Sequence, residues 1–148
     1  MSNLPVYAPQ NVVFRCDASH LIGTGHLKRC ISLARAFKER GFTSIFVCRN
    51  RPTSMHRAIL KNEFNYLELP ECFSNYANQS EYRHWLGCTQ SQDAHDFLAA
   101  FQDRHQVSII VVDHYALDIE WHDIIHSEYP CSQLLVIDDL ANRKYCAN

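Results

Sequence analysis

The chain has 148 residues, 47% hydrophobic and 20% charged, with 14 Lys+Arg against 16 Asp+Glu and a formal net charge of -2. That composition suits one globular domain with a real core, gives no electrostatic footprint for nucleic acid, and contains no apolar run long enough to cross a bilayer. Residues 1–10 lack the basic-then-apolar order of a secretory signal, so they read as a flexible leader to a cytoplasmic domain over residues 11–148.

Asn11 to Arg15 is apolar and reads as the first strand, followed by a glycine-bearing loop that ends at Gly25. From His26 to Arg40, Leu27, Cys30, Ile31, Ala34 and Phe37 recur at helical spacing, and Gly41 supplies the stop. Thr43 to Cys48 is β-branched and aromatic, as a second strand should be, and Arg51-Pro52-Thr53-Ser54 opens a helix through about Asn62. Asn65 to Leu69 follows as a third strand, closed by Pro70.

Between Glu71 and Ser91 the periodicity fails apart from Trp85-Leu86-Gly87, which predicts a long, functional loop with at most a short helix. Helical spacing returns over Gln92 to His105 through Phe97, Leu98 and Phe101. Val107 to Val112 is the most hydrophobic run and suits a central parallel strand buried on both faces. A helix from about Asp118 to Ser127 and a strand over Gln133 to Ile137 complete the pattern. Strands alternating with helices predict a doubly wound parallel α/β sheet, Rossmann-like, with right-handed crossovers.

The cysteines at 16, 30, 48, 72, 88, 131 and 146 are odd in number and contain no C-x-x-C pair, so they predict free thiols, with Cys30 and Cys48 buried.

Three polar clusters fall at carboxyl ends of strands: Arg15-Cys16-Asp17 with the loop Gly23-Thr24-Gly25, then Asp113-His114-Tyr115, then Asp138-Asp139. Open α/β sheets bind ligands along that edge, where strand order reverses. The glycine loop fails the dinucleotide fingerprint, because Lys28 stands at its third glycine position and Cys48-Arg49-Asn50 offers no acidic partner for a ribose. It fails the P-loop spacing as well. Small residues before a helix N-terminus still let backbone N–H groups approach an anion.

His26 and Arg29 are neighbours on the first helical turn, where the helix dipole disfavours an imidazolium. A neutral base beside an arginine that grips an anionic leaving group makes a hydrolytic pair; the plainer alternative is a histidine that caps or packs the helix. Asp113, His114 and Tyr115 are candidates to orient that base, bind sugar hydroxyls or donate a proton, although Asp113 could equally cap the loop. Asp138 and Asp139 point opposite ways on extended chain and are poor joint ligands, and His122 with His126 lacks a third ligand, so neither metal nor cofactor is expected.

The segments Phe14-Arg15-Cys16-Asp17-Ala18-Ser19 through Ile22-Gly23-Thr24-Gly25-His26 and Arg29-Cys30, Trp85-Leu86-Gly87 with Asp93-Ala94, Val112-Asp113-His114-Tyr115-Ala116-Leu117-Asp118 with Trp121, and Val136-Ile137-Asp138-Asp139-Leu140-Ala141-Asn142-Arg143 stand in that order. Together they resemble the amino-terminal half of the pseudaminic acid biosynthesis UDP-sugar hydrolases (UDP-2,4-diacetamido-2,4,6-trideoxy-β-L-altropyranose hydrolases), relatives of the two-domain glycosyltransferase B fold. The resemblance implies metal-free attack of water at the anomeric carbon of a UDP-activated diacetamido-trideoxy sugar, with inversion and release of UDP. It implies His26 as the base and places Tyr115 in the active-site cleft, while the strand-end clusters and the glycine loop offer Arg15, Asp17, Gly23, Thr24, Gly25, Arg29, Asp113 and His114 as candidate substrate-binding residues. Such relatives carry a second, nucleotide-binding carboxyl-terminal domain, which this sequence lacks, so a missing domain or split partner is expected opposite this half. A sugar- or partner-binding module without catalysis, and a glycosyltransferase of the same fold, are the alternative functions.

Overall fold

In the computed structural model, residues 10–19, 22–49, 53–72, 82–101 and 106–146 are described. Five strands, β1 (Asn11–Cys16), β2 (Thr43–Cys48), β3 (Asn65–Glu68), β4 (Val107–Asp113) and β5 (Gln133–Val136), form one sheet in the order β3-β2-β1-β4-β5. Every pairing is parallel. Helices α1 (Gly25–Glu39), α2 (Thr53–Lys61), α3 (Gln90–Ala100) and α4 (Ile119–Glu128) connect them.

The alternation of side chains along the strands divides the core. Val12, Phe14 and Cys16 of β1 join Phe46 and Cys48 of β2 beneath Leu27, Cys30 and Ala34 of α1 and Met55 and Ile59 of α2. Val13 with Ile110 and Val112 of β4 meets Phe97 of α3 and Trp121 and Ile125 of α4 on the other face. The first layer is stiffened by rings, since Phe14 stacks on Phe46 at 4.9 Å and Phe46 on Phe64 at 5.5 Å. The predicted doubly wound, Rossmann-like sheet is therefore the fold found.

Strand order reverses between β1 and β4, which puts the topological switch point between Cys16 and Asp113, register partners at the carboxyl edge.

Element limits differ from expectation where tertiary contacts decide them. Helix α3 starts at Gln90 because the Thr89 hydroxyl caps it, accepting from the Gln92 N–H at 3.0 Å inside a stretch read as loop. Strand β4 runs on through Asp113, whose backbone still pairs with Cys16. The loop between β3 and α3 holds a 3-10 turn at Arg83–Trp85. The leader 1–9, the helix-opening residues 51 and 52, the loop centre 73–81 and the expected helix end at 102–105 lie outside the described residues.

Candidate active site at the switch point

Below the sheet edge lies a buried lattice of charge. Arg15 is fully enclosed and forks between Asp17, at 2.8 and 3.1 Å, and Asp93 of α3, at 3.0 and 2.7 Å. Asp93 also accepts from Arg49 Nε at 3.0 Å and from the Trp121 indole at 2.9 Å. Asp17 accepts from the Arg49 backbone N–H at 2.7 Å and from His114 Nε2 at 3.0 Å. Burial alone would raise both carboxyls, but Arg15 holds Asp17 and Asp93 below the usual carboxylate range. Arg15 and Arg49 are thus set against the carboxylates of Asp17 and Asp93, with Asp96 of α3 also 2.8 Å from Arg49, and the network ties the ends of β1 and β2 to α3 and α4.

Arg15 and Asp17, expected at the ligand, have no exposed surface, and their side-chain hydrogen bonds run to groups inside the fold. His114 is buried alongside them. Its Nδ1 accepts from the Ala116 backbone N–H at 3.1 Å, so its proton sits on Nε2, facing Asp17.

One level higher, the first turn of α1 meets the end of β4. His26 Nδ1 lies 2.5 Å from Asp113 Oδ1, and because a carboxylate can only accept, Nδ1 carries the proton and Nε2 is left as the basic nitrogen. Arg29 closes on the same carboxylate with Nε and Nη2, each at 2.8 Å, and Nη1 reaches both oxygens of Asp139 at 2.9 and 2.8 Å. Burial pushes the Asp113 carboxyl up, and the bonds from His26 and Arg29 outweigh it, so it stays below its ordinary range. The Tyr115 hydroxyl donates to Asp139 at 2.9 Å while its ring packs edge-on to His26 at 4.6 Å.

Arg29, read as a grip for a leaving anion, is instead a clamp: all three of its nitrogens bond to the carboxylates of Asp113 and Asp139. Asp138 turns the other way, to Arg143 at 2.6 Å, the Ala141 N–H at 2.6 Å and the Tyr145 hydroxyl. The two adjacent carboxylates therefore serve different networks, as the extended chain requires.

The glycine loop overhangs this pair. Gly23 has φ +77°, which a side chain would resist, and its N–H closes the loop on the Ser19 carbonyl at 2.8 Å. A Cβ at Gly23 or Gly25 would meet nothing within 4 Å, so the space beside this backbone is open. Thr24 and Gly25 are exposed at the start of α1. Cys16, Cys30 and Cys48 are buried free thiols beneath the loop, with Cys30 Sγ 3.6 Å from Asp113 Oδ2.

An aromatic wall flanks the pair. Trp85 stacks on Tyr115 at 5.9 Å, Tyr82 packs edge-on to it at 5.4 Å, and the Arg143 guanidinium lies 5.3 Å over the same ring. Arg49 and Tyr82 escape notice as site-builders in the sequence, and Asp93 and Asp139, although they stand in quoted motifs, have no role assigned there, since only long-range pairing reveals it. His122 is buried against the tail after β5, where its Nδ1 faces the Cys146 N–H at 3.4 Å, and no group of three His, Cys, Asp or Glu among the described residues is arranged to hold a metal ion.

No family model and no curated protein matches the chain. It is similar to a solved glycosyltransferase from Rickettsia africae ESF-5, with a TM-score of 0.54 and 15% identity over 92% of this chain and 32% of that one. At that identity the likeness concerns fold: the parallel sheet matches a half-domain of glycosyltransferase B-like architecture, and the chain spans about a third of that structure's length. No helix among the described residues is long and apolar enough to cross a membrane.

Proposed function

We propose that this chain is the base-bearing half of a glycosyltransferase B-like enzyme acting on an activated sugar, in which His26 deprotonates the attacking hydroxyl. The observation that carries this reading is the His26–Asp113 pair at 2.5 Å, set at the switch point beside an open glycine loop. Asp113 fixes the tautomer and stabilises the imidazolium formed when Nε2 takes the proton, as the orienting carboxylate does in any His–Asp pair. The nucleophile's oxygen bonds to the anomeric carbon as the bond to the nucleotide breaks, and the departing diphosphate carries away the electron pair.

For the finer reading, the ordered motifs support water as the nucleophile and a UDP-diacetamido-trideoxy sugar as substrate, giving UDP and a free sugar with inversion. Gly23, Thr24 and Gly25 would then approach the diphosphate, His26 and Tyr115 would face the reacting centre, and Arg15, Asp17, Arg29, Asp113 and His114 would hold them in place. The similarity to a solved glycosyltransferase supports a second reading, transfer to an acceptor hydroxyl, which the same base would serve. Both readings assign the rest of the nucleotide site to a second domain or partner.

The test is to incubate the chain with the UDP-sugar in ¹⁸O-labelled water and follow UDP by chromatography. UDP release with label in the sugar, lost in His26→Ala, is the outcome expected for hydrolysis. Release only when an acceptor sugar is added supports transfer. Turnover undiminished in His26→Ala overturns the assignment of the base, and saturable sugar binding without turnover favours a binding module.

A further inference from the structure

We infer that Cys72 and Cys88 form a redox-modifiable dithiol: Cys72 is the thiol that a peroxide oxidises, and Cys88 closes on it to a disulfide. The inference goes beyond the proposed function, and no step of it passes through His26.

The chain brings the two thiols together from opposite ends of the segment that links β3 to α3. Gly87, immediately before Cys88, has φ +74°, and a Cβ there would stand 3.3 Å from the Cys72 carbonyl oxygen, so the two backbones run in contact. Cys72 packs against the buried cluster that holds Cys88, Leu86 and Ala94, and the two thiols interact directly. Both are free.

Their surroundings give them different parts. Cys72 is half-buried and so open to a small oxidant, and Arg49 directs Nη1 at its sulfur from 3.1 Å. That guanidinium is held in place by Asp93 at 3.0 Å, by Asp96 at 2.8 Å and by the Pro70 carbonyl, to which Nη1 also donates. A cationic donor steadies the negative charge on a sulfur that gives up its proton, and partly exposed thiols with such a neighbour are the reactive ones. Cys88 is only 6% exposed. Burial pushes its thiol well up, and the charge of Asp93 adds to the effect against Arg49. Cys88 therefore reacts second, as the thiol that resolves the oxidised Cys72.

The Cys72 thiolate attacks one oxygen of the peroxide: an S–O bond forms, the O–O bond breaks, and hydroxide leaves with the electron pair and takes up the proton that the thiol released. Cys72 is then a sulfenic acid. The Cys88 sulfur displaces that oxygen, which departs as a second water carrying the Cys88 proton. The two thiols have lost two electrons and hydrogen peroxide has become two waters. The new bond ties the segment after β3 to the start of α3, on either side of Tyr82 and Trp85, the rings that pack on Tyr115. Cys16, Cys30 and Cys48 have no exposed surface and are shielded from the same oxidant.

The experiment adds hydrogen peroxide to the folded chain in a Cys131→Ser background, which removes the exposed thiol, and then blocks the remaining thiols with N-ethylmaleimide in denaturant. Trypsin cuts at Arg83, between the two cysteines, so mass spectrometry reads the bond as a linked pair of peptides. The Cys72–Cys88 linkage should dominate and vanish with dithiothreitol. In Cys88→Ser, dimedone should trap a sulfenic acid at Cys72; in Cys72→Ser it should trap none at Cys88. Without oxidant, iodoacetamide should alkylate Cys72 about tenfold or more faster than Cys88, a measurement that replaces neither residue. No linkage, a dominant linkage through any other cysteine, a dimedone adduct at Cys88 rather than at Cys72, or equal alkylation of the two overturns the inference. Circular dichroism of each variant verifies the fold.

Discussion

His114 and Asp17 form an enclosed pair, 3.0 Å between Nε2 and Oδ2, whose proton position is dictated from the opposite side of the ring, where Nδ1 accepts the Ala116 N–H. The pair links two levels of the site. Asp17 belongs to the buried charge lattice, while the residues on either side of His114 are Asp113 and Tyr115, and both touch His26.

The first prediction concerns that ring. Long-range ¹H–¹⁵N spectra should show His114 as the neutral Nε2–H tautomer. In His114→Phe the Ala116 N–H loses its partner, at about 1–3 kcal/mol for a buried group left unsatisfied, and Asp17 Oδ2 is left with Arg15 alone. The turn that carries Tyr115 should loosen with them, and the downfield His26 Nδ1 proton should shift or broaden. An unchanged His26 signal in a folded His114→Phe chain would show that His114 has no positioning role.

Asp93 is the hub of the buried lattice, accepting from Arg15, Arg49 and Trp121. Asp93→Ala should therefore cost about 3 kcal/mol in urea unfolding, because it takes one carboxylate partner from each of two buried guanidinium groups, leaving Arg15 to Asp17 and Arg49 to Asp96, and leaves the Trp121 indole N–H unpaired. The isosteric Asp93→Asn, which keeps an oxygen for one of them, should lose less. A loss under 1 kcal/mol for the alanine variant would mean that water or rearrangement replaces the carboxylate.

These two networks also mark where sequence reading stops. Period and alternation announce the sheet, and the strand-end clusters announce its functional edge, because both follow from local chain geometry. His26 is legible since it opens a long amphipathic helix behind a glycine loop. Arg15 is not: a charged residue at a strand end looks like a ligand contact until Asp93, 78 residues away, is seen to bury it. Arg29 looks like a free cation for the same reason, its neutralising Asp139 lying 110 residues on. Charges whose partners are remote in sequence carry no local signal of being spent.

The glycine loop offers a separation of fold from function. Gly23→Ala forces a left-handed alanine at φ +77° and should lower stability by about 1–2 kcal/mol. Gly25→Ala adds a methyl into open space at the first residue of α1 and should raise the melting temperature slightly, as helical glycine replacements do. Yet the same methyl occupies the approach an anion would take, so UDP-sugar affinity should fall. A Gly25→Ala chain that is as stable as the parent and binds UDP-sugar equally well would remove the loop from the substrate site.

The last prediction is a pH effect at a distance from the site. Burial pushes His122 down to about 4 from an ordinary 6.5, with Asp118 and Asp123 opposing the shift and Arg143 adding to it. Its Nε2 has no hydrogen-bond partner among the described residues, so nothing there compensates a charge. The unfolded chain therefore binds this proton more readily than the folded one: stability is complete above about pH 6.5, falls as the pH drops toward 4, and changes no further below that on this account. The full loss is about 3 kcal/mol, from 1.36 kcal/mol for each pH unit. Asp17, Asp93 and Asp113, all held below the ordinary 3.8, contribute a second loss only as the pH falls below that value, so the two steps separate. Urea unfolding at half-unit intervals from pH 7.5 to 4.5 should show the His122 slope in the parent chain. His122→Asn, which keeps an acceptor for the Cys146 N–H and removes the titrating group, should flatten it. A slope that persists in the asparagine variant would assign the acid sensitivity to another histidine.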